Sequence, residues 1–452
     1  MVMRKIFFLV FFIYMIGCST KDPSYYTLNV ALNPIEGGVV EPKSGSFEEG
    51  SQVSIKVSPD ESFEFIKWLG DWDGTENPLT LTMDGDKELI ASFRMKDPVY
   101  LDDNGVTVRC HEWAKVGMYN INLINGKTYT IVSTEELISL VNKGGNLSNI
   151  CTCKIDDMTS LFDKERLGHR NGGVDQDISS WDVSNVTKMY DAFNGSDFNG
   201  DISKWDVSNV TAMGGMFRDS KFNGNISEWD VSNVWTTTNM FDRSSFNGDI
   251  SDWDVSNVRY METMFQYSLF NGDISKWTTS DLRGTVAMFS HSKFNGDVSK
   301  WDMSKVTRTT RMFSDSEFNG DISNWDVGNV EDMESMFYNT PFVGDISEWN
   351  VGKVKNMRGL FAKTKFNGDI SKWNVSNVEN MEWMFSDSKF NGDISDWDVS
   401  SVTNMRYMFD KSIFNQDLSS WIVNNVTECA GFSRENLIWN KPKPNFTSCD
   451  PN

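Results

Sequence analysis

Between residues 26 and 95 apolar and polar positions alternate with a period of two. Leu28, Val30 and Leu32 alternate with Thr27, Asn29 and Ala31, and the same rhythm runs through Val53, Ile55 and Val57, through Leu79, Leu81 and Met83, and through Leu89, Ala91 and Phe93. Turn residues bound these runs at Glu36-Gly37-Gly38, Lys43-Ser44-Gly45, Pro59-Asp60 and Asp84-Gly85-Asp86. The pattern predicts a small all-β domain of half-buried strands, with the aromatic run at 63–68 in its core. Residues 96–162 change character. Asn125-Gly126 predicts a hairpin between 121–124 and 127–132, and Ser133-Thr134-Glu135-Glu136 predicts a capped helix over 137–142, ended by Gly144-Gly145. A hairpin and a helix suit the N-terminal cap of a repeat array, whose first unit has no neighbour to cover it.

The array occupies 163–428, with a C-terminal cap at 429–452. Trp181, Trp205, Trp229, Trp253, Trp277, Trp301, Trp325, Trp349, Trp373, Trp397 and Trp421 stand in strict 24-residue register. A fixed period of this size means units that bury their apolar faces only against their neighbours. In the copy ending at Phe409, the stretch 394–399 suits a short strand, and the spacing of Val402, Met405, Met408 and Phe409 suits one or two helical turns. The expected architecture is therefore an α/β repeat solenoid of leucine-rich-repeat type, with short parallel strands and short helices in each coil. Eleven coils at roughly 4.8 Å each would run to about 50 Å.

The unit Phe390-Asn391-Gly392-Asp393-Ile394-Ser395-Asp396-Trp397-Asp398-Val399 and its continuation to Phe409 resembles that of the BspA-like leucine-rich-repeat surface proteins, in the branch grouped with mycoplasma-type surface lipoproteins. The likeness covers roughly 100 to 449 and implies an exposed surface protein, adhesive in some members. Departures are Thr278-Thr279-Ser280 for Asp-Val-Ser, and Thr237, Thr285 and Thr309 for the first methionine. The 26–95 domain is similar to the divergent internalin-type B-repeat, on Tyr26-Thr27-Leu28, Glu49-Gly50-Ser51-Gln52-Val53, Phe63-Glu64-Phe65-Ile66-Lys67-Trp68 and Asn77-Pro78-Leu79. That implies a spacer or adhesion module.

The N-terminus reads as processing information. Arg4 and Lys5 precede an apolar run at 6–16, about 16 Å long as a helix and too short for a roughly 30 Å hydrocarbon core. Residues 1–17 are thus a signal peptide. Met15-Ile16-Gly17-Cys18 resembles a bacterial lipobox, which implies lipidation of Cys18, with 18–25 as a tether. Lys21-Asp22 resembles in part a signal that sends lipoproteins to the outside of the outer membrane. The expected location is the bacterial cell envelope, lipid-anchored, at the outer membrane and surface-exposed.

Charge narrows the partners. Forty-two Lys and Arg against 64 Asp and Glu leave a net charge of -22, which argues against nucleic acid and against adsorption to anionic headgroups. Membrane contact is expected through the anchor alone. Cys429 and Cys449 could clip the terminal cap. Of Cys110, Cys151 and Cys153, one is left over or paired differently, and Cys151-Thr152-Cys153 has too few neighbouring ligands for zinc.

No cofactor is expected, and no catalytic motif stands out around His111, His169 or His291; the protein is not expected to be an enzyme. The tryptophan and methionine stripes are core. Asp177, Asp201, Asp249, Asp273, Asp297, Asp321, Asp345, Asp369, Asp393 and Asp417 share one coil position, interrupted only by Asn225. Local turn chemistry explains the column; calcium along Asp249 to Asp393 is the alternative. Specificity would live where copies vary, at pairs such as Trp235-Thr236, Arg259-Tyr260, Arg283-Gly284 and Thr307-Arg308. Trp235, Tyr260, Tyr267, Trp383 and Tyr407 are candidate contact anchors, against the plainer reading of scattered surface aromatics. The functional expectation is binding or adhesion to an extracellular protein or polysaccharide. The alternatives are a non-binding spacer or coat protein and, behind it, a glycan-processing accessory enzyme. A basic or aromatic cluster confined to one face would favour binding, a uniformly acidic face the spacer, and a carboxylate-lined cleft the enzyme.

Overall fold

The computed structural model describes residues 21–168 and 176–452. The segment expected to be a signal peptide, Cys18 and His169 lie outside the described residues. The chain divides into two compact units, 1–98 and 99–452.

In the first unit, period-two alternation becomes two small sheets. β1 (Tyr25–Asn33), β3 (Ser44–Glu48), β5 (Phe63–Gly70) and β7 (Lys87–Met95) form one in the order β3-β1-β7-β5; β2 (Gly38–Glu41), β4 (Gln52–Pro59) and β6 (Leu79–Thr82) form the other, in the order β2-β4-β6. Pairing is antiparallel except between β1 and β7, where Val30 faces Leu89. Every second residue points inward, so Leu28, Val53, Ile55, Val57, Leu89 and Ala91 share one core around fully buried Trp68. The Trp68 indole N–H donates to the Glu76 carbonyl at 2.8 Å, as a buried indole requires.

The second unit opens with the hairpin β8 (Val99–Leu101) and β9 (Val108–Cys110), a short parallel pair β10 (Thr130–Ile131) and β11 (Ile150–Cys151), and the helices α1 (Thr134–Lys143) and α2 (Lys164–Leu167). Asn125-Gly126 forms a turn closed by a bridge between Ile124 and Lys127, but not a continuous hairpin. Ser133 and Glu136 form a reciprocal capping box on α1, and Gly144 ends it in the left-handed conformation. Leu137 and Val141 of α1 join the repeat core.

From Trp181 onward the chain stacks in 24-residue coils, but the strand-and-helix leucine-rich-repeat plan is not what forms. Among the described residues both helices precede the repeats, and each coil carries only a single-residue parallel bridge to the next, as at Asn380–Asn404. The stretch expected to be a strand, 394–399, is instead a turn, with the Trp397 N–H on the Ile394 carbonyl.

The expected helix fails for a definite reason. In the coil of Trp253, the N–H groups of Met261, Thr263, Phe265 and Tyr267 all leave their own coil and donate to Gly284, Val286, Met288 and Ser290 of the next. The intervening N–H groups close i to i+3 turns, such as Met264 to Met261. No i to i−4 ladder is left to build. This alternation puts the tenth and fourteenth residues after each tryptophan at positive φ, in all eleven coils, with φ between 50 and 69°. Only Gly195, Gly215, Gly359 and Gly431 are glycine there. A left-handed residue with a side chain costs roughly 1–2 kcal/mol, offset by inter-coil bonds worth about 1 kcal/mol each and by burial of the core.

That core is a set of aromatic columns. Phe217, Phe241, Phe265 and Phe289 stack with centroids 5.7–5.8 Å apart, and Phe222, Phe246 and Phe270 with centroids 6.3 Å apart. All but one of the buried repeat tryptophans also staple their coil to an earlier segment: the Trp253 indole N–H donates to the Ile226 carbonyl at 3.0 Å, and Trp325 to that of Val298 at 2.9 Å. Trp301 alone among the buried repeat tryptophans leaves its N–H without a partner. The glycine of each Asn-Gly-Asp is required by its own coil, since a Cβ on Gly392 would lie 2.9 Å from the Phe390 ring. The threonine departures are accommodated without loss of packing: Thr285 and Thr309 are fully buried, their hydroxyls directed to carbonyls of the following coil. At the far end, Phe432, Trp439 and Phe446 pack edge to face over the last coils, and Cys429 is bonded to Cys449.

Candidate functional site

The ten-membered acidic column is a column of Asx turns. The Asp249, Asp321 and Asp393 carboxylates accept the N–H of Ser251, Ser323 and Ser395 at 2.9–3.0 Å, and Asn225 does the same for Ser227. Those backbone N–H groups hold the carboxyls of Asp249, Asp273, Asp297, Asp321, Asp345, Asp369 and Asp393 below their ordinary range, while the charge of a neighbouring rung, as between Asp345 and Asp369, pushes weakly the other way. An asparagine ladder runs beside it: the N–H of Asn223, Asn247, Asn271, Asn295 and Asn319 each meets the carboxamide oxygen of the asparagine one coil earlier, at 2.8–2.9 Å. Val343 interrupts this ladder. It takes the Asn319 oxygen and offers none onward.

Among the described residues, the one cluster of three metal-capable side chains is Cys110, Cys151 and Cys153, their sulfurs within 4.8 Å of one another. Cys110 is bonded to Cys153, and Cys151 is a free, fully buried thiol that donates to the Val108 carbonyl. Burial pushes that thiol up to about 12, so it is protonated and unreactive at neutral pH.

Side chains that differ between coils recur along the segment from the sixth to the fourteenth residue after the tryptophan, which holds every tyrosine and arginine of the coils; further variable positions lie just before the tryptophan and at the sixteenth residue, as at Lys204 and Lys221. The left-handed turns there aim side chains outward, while the eighth, eleventh and twelfth residues point into the core. All five candidate anchors fall on this segment. Trp235 and Tyr260 meet edge to face at 6.1 Å; Trp383 and Tyr407 lie 6.1 Å apart; Tyr267 stacks on His291 at 4.3 Å. Trp235, Tyr260, Tyr267 and Trp383 are 37–44% exposed, and Tyr407 is half-buried.

Cations accompany the rings. Arg358 lies 4.8 Å over Trp383, Arg434 4.8 Å over Tyr407, Arg243 5.0 Å over Tyr267, and Lys363 5.1 Å over Tyr338. Carboxylates orient two of them: Arg358 bonds Glu334 and Glu382, and Arg434 bonds Asp410. Nearby, Arg259, Lys305 and Arg283 converge on Asp281 and hold its carboxyl far below the carboxylate range. Two recesses open along this segment. One, of about 660 Å³, includes Tyr260, Arg283, Gly284, Lys305, Arg308 and Lys353; the other, of about 530 Å³, includes Arg311, Tyr338, Arg358, Gly359, Lys363 and Trp383.

Sequence reasoning found the aromatics but not Tyr338, Arg358, Lys363 and Arg434. The signal was present: the ninth, tenth, thirteenth and fourteenth positions vary between copies, while the eleventh stays apolar, the eighth is apolar or threonine and the twelfth is phenylalanine in every coil but the last. Reading the segment as a helix hid its two-sidedness.

The fold and its variable face define a repeat protein, a stack of coils headed by a small β module. The chain belongs to the family described as "Mycoplasma protein of unknown function, DUF285", whose model matches it five times, at 135–245, 196–293, 240–345, 267–365 and 339–442. The divergent InlB B-repeat domain matches residues 28–97. No curated protein and no solved structure matches the chain.

Proposed function

We propose that this chain is an exported, lipid-anchored surface protein of the bacterial cell envelope, facing outward from the outer membrane, and that it binds an extracellular protein or glycan through the variable face of its repeats. One observation carries this reading: on a chain of net charge -22, the exposed aromatics of the coils and every one of their arginines lie on a single segment that differs between coils. A spacer needs no such segregation, because length is set by the core positions alone. Buried aromatics and arginines are the groups that carry interface affinity. The likeness to BspA-like surface lipoproteins, the B-repeat module and the lipobox ending at Cys18 support the same reading, which assigns no catalysis and no cofactor.

The test is binding of the anchor-free chain (Ser19 onward) to a panel of matrix proteins and polysaccharides, with calcium and with chelator. Saturable binding that weakens when Trp383 and Tyr260 are replaced by alanine is expected. Binding to nothing, or binding indifferent to both replacements, overturns the reading.

A further inference from the structure

In seven coils the fourth residue after the tryptophan is asparagine, and its amide ties the coil to an earlier carbonyl, as Asn257 does to Ser232 and Asn329 to Ser304. Asp281, Lys305 and Lys353 take that place in three coils lying close together, and Ser401 in one further along. The same stretch holds the one glycine of the seventh-position row, Gly284, between Tyr260 and Arg308. There the recess of about 660 Å³ opens, lined by Arg283, Lys305, Arg308 and Lys353. At Lys305 and Lys353 an inter-coil hydrogen bond has been exchanged for a positive charge.

Those charges are not neutralised. Arg259, Arg283 and Lys305 share a single carboxylate, Asp281, at 2.7–3.3 Å. Among the described residues no carboxylate lies within 4.0 Å of Arg308 or Lys353, and Lys353 bonds only the neutral Asn329 carboxamide. The other acids nearby are engaged: Glu331 pairs with Lys355 at 3.0 Å, Glu262 accepts the Thr238 hydroxyl at 2.9 Å, and Asp332 accepts from the Glu334 N–H and the Asn356 amide. Six cations thus face four carboxylates, on a chain of net charge -22.

We infer that this recess takes a sulfated glycan, one sulfate ester held by Arg308 and Lys353 and the adjoining sugar seated over Gly284. The inference rests on the binding reading above and narrows it to a ligand class. Arginine and lysine donors from different coils suit an oxyanion with three terminal oxygens better than a carboxylate with two. The backbone disfavours a peptide. Strand addition needs an edge of unpaired N–H and C=O groups, and the Arg283, Gly284, Thr309 and Glu331 N–H groups already donate to adjacent coils.

The test uses surface plasmon resonance on the full chain with four probes: a heparin oligosaccharide, the same oligosaccharide stripped of sulfate, poly-glutamate, and duplex DNA. The variant is Arg308→Asn with Lys353→Asn, and the control is Lys372→Gln, outside the recess and paired with Glu348. Both asparagines have internal precedent, at Asn356 and Asn380 for the first and at Asn329 and Asn377 for the second, and the second restores the inter-coil bond. Saturable binding of the heparin oligosaccharide is expected, weakened at least about tenfold in the double variant with a Tm no lower than the parent's, and unchanged in Lys372→Gln. Binding untouched by the double variant, weakened equally by the control, or matched by any of the other three probes overturns the inference. A Tm below the parent's overturns it as well, since folding rather than binding would then account for the two cations. If the chain binds a matrix protein through Trp383 and Tyr260 but no sulfated glycan, the recess assignment fails and the broader reading stands; if it binds no member of either panel, both fail.

Discussion

The β module at 25–95 and the repeat stack bury their apolar residues by different means. In the module, continuous strands carry the hydrogen bonds and alternate side chains fill one core around Trp68. In the stack almost no regular secondary structure exists; bonds from one coil to the next do the work of a sheet, and the core is a set of columns rather than a centre. Loss of a core residue should therefore spread through the module as a whole but stay near its own coil in the stack, where each unit touches only its neighbours.

Replacing Trp68 or Trp325 by alanine removes a buried indole in either region and should cost about 3–5 kcal/mol. Hydrogen exchange separates the two: Trp68→Ala should expose the strands of 25–95 together, Trp325→Ala only the coils adjoining it. Uniform loss across the repeats would break the comparison. A finer test is Trp to Phe. Trp325→Phe loses the bond to Val298, while Trp301→Phe loses none, so urea denaturation should show Trp325→Phe the more destabilised by about 1 kcal/mol.

Ala287→Gly probes the left-handed turns. In a helix it would destabilise by about 0.5–1 kcal/mol; at φ 53° it should stabilise by a similar amount. Val343→Asn should restore the broken asparagine ladder and add about 0.5–1 kcal/mol, read as a higher denaturation midpoint. Smallest per residue is the pH effect. The column carboxyls are held low in the folded chain, so their contribution is full above the unfolded value of about 3.9 and is lost as pH falls through their folded values. Melting temperature should drop on acidification below about pH 4, and less so in a chain whose column aspartates are replaced by asparagine, as Asn225 already is.

Much of this was legible in residues alone. Alternation in 26–95 marks strands because side chains of a strand point to opposite faces, and the capping box at Ser133 follows from its own four residues. The tryptophan register marks the repeat and, with it, the family. The conformation inside the coil was not legible: Val402, Met405, Met408 and Phe409 have helical spacing, and glycine marks few of the left-handed positions. Likewise Trp235, Tyr260, Tyr267, Trp383 and Tyr407 could be picked out as surface aromatics, but nothing along the chain joined Arg358 to Trp383 or Arg434 to Tyr407, each pair drawn from neighbouring coils.

The sequence by itself determined the period, the core positions and the turn at each Asn-Gly-Asp, because these depend on residues close together in one copy. Only the tertiary structure decided that the coils hold neither strand nor helix, and that the gap at Gly284 becomes a recess. Both outcomes depend on the neighbouring coil: its carbonyls draw away the N–H groups a helix would need, and its side chains form the walls where one coil has none.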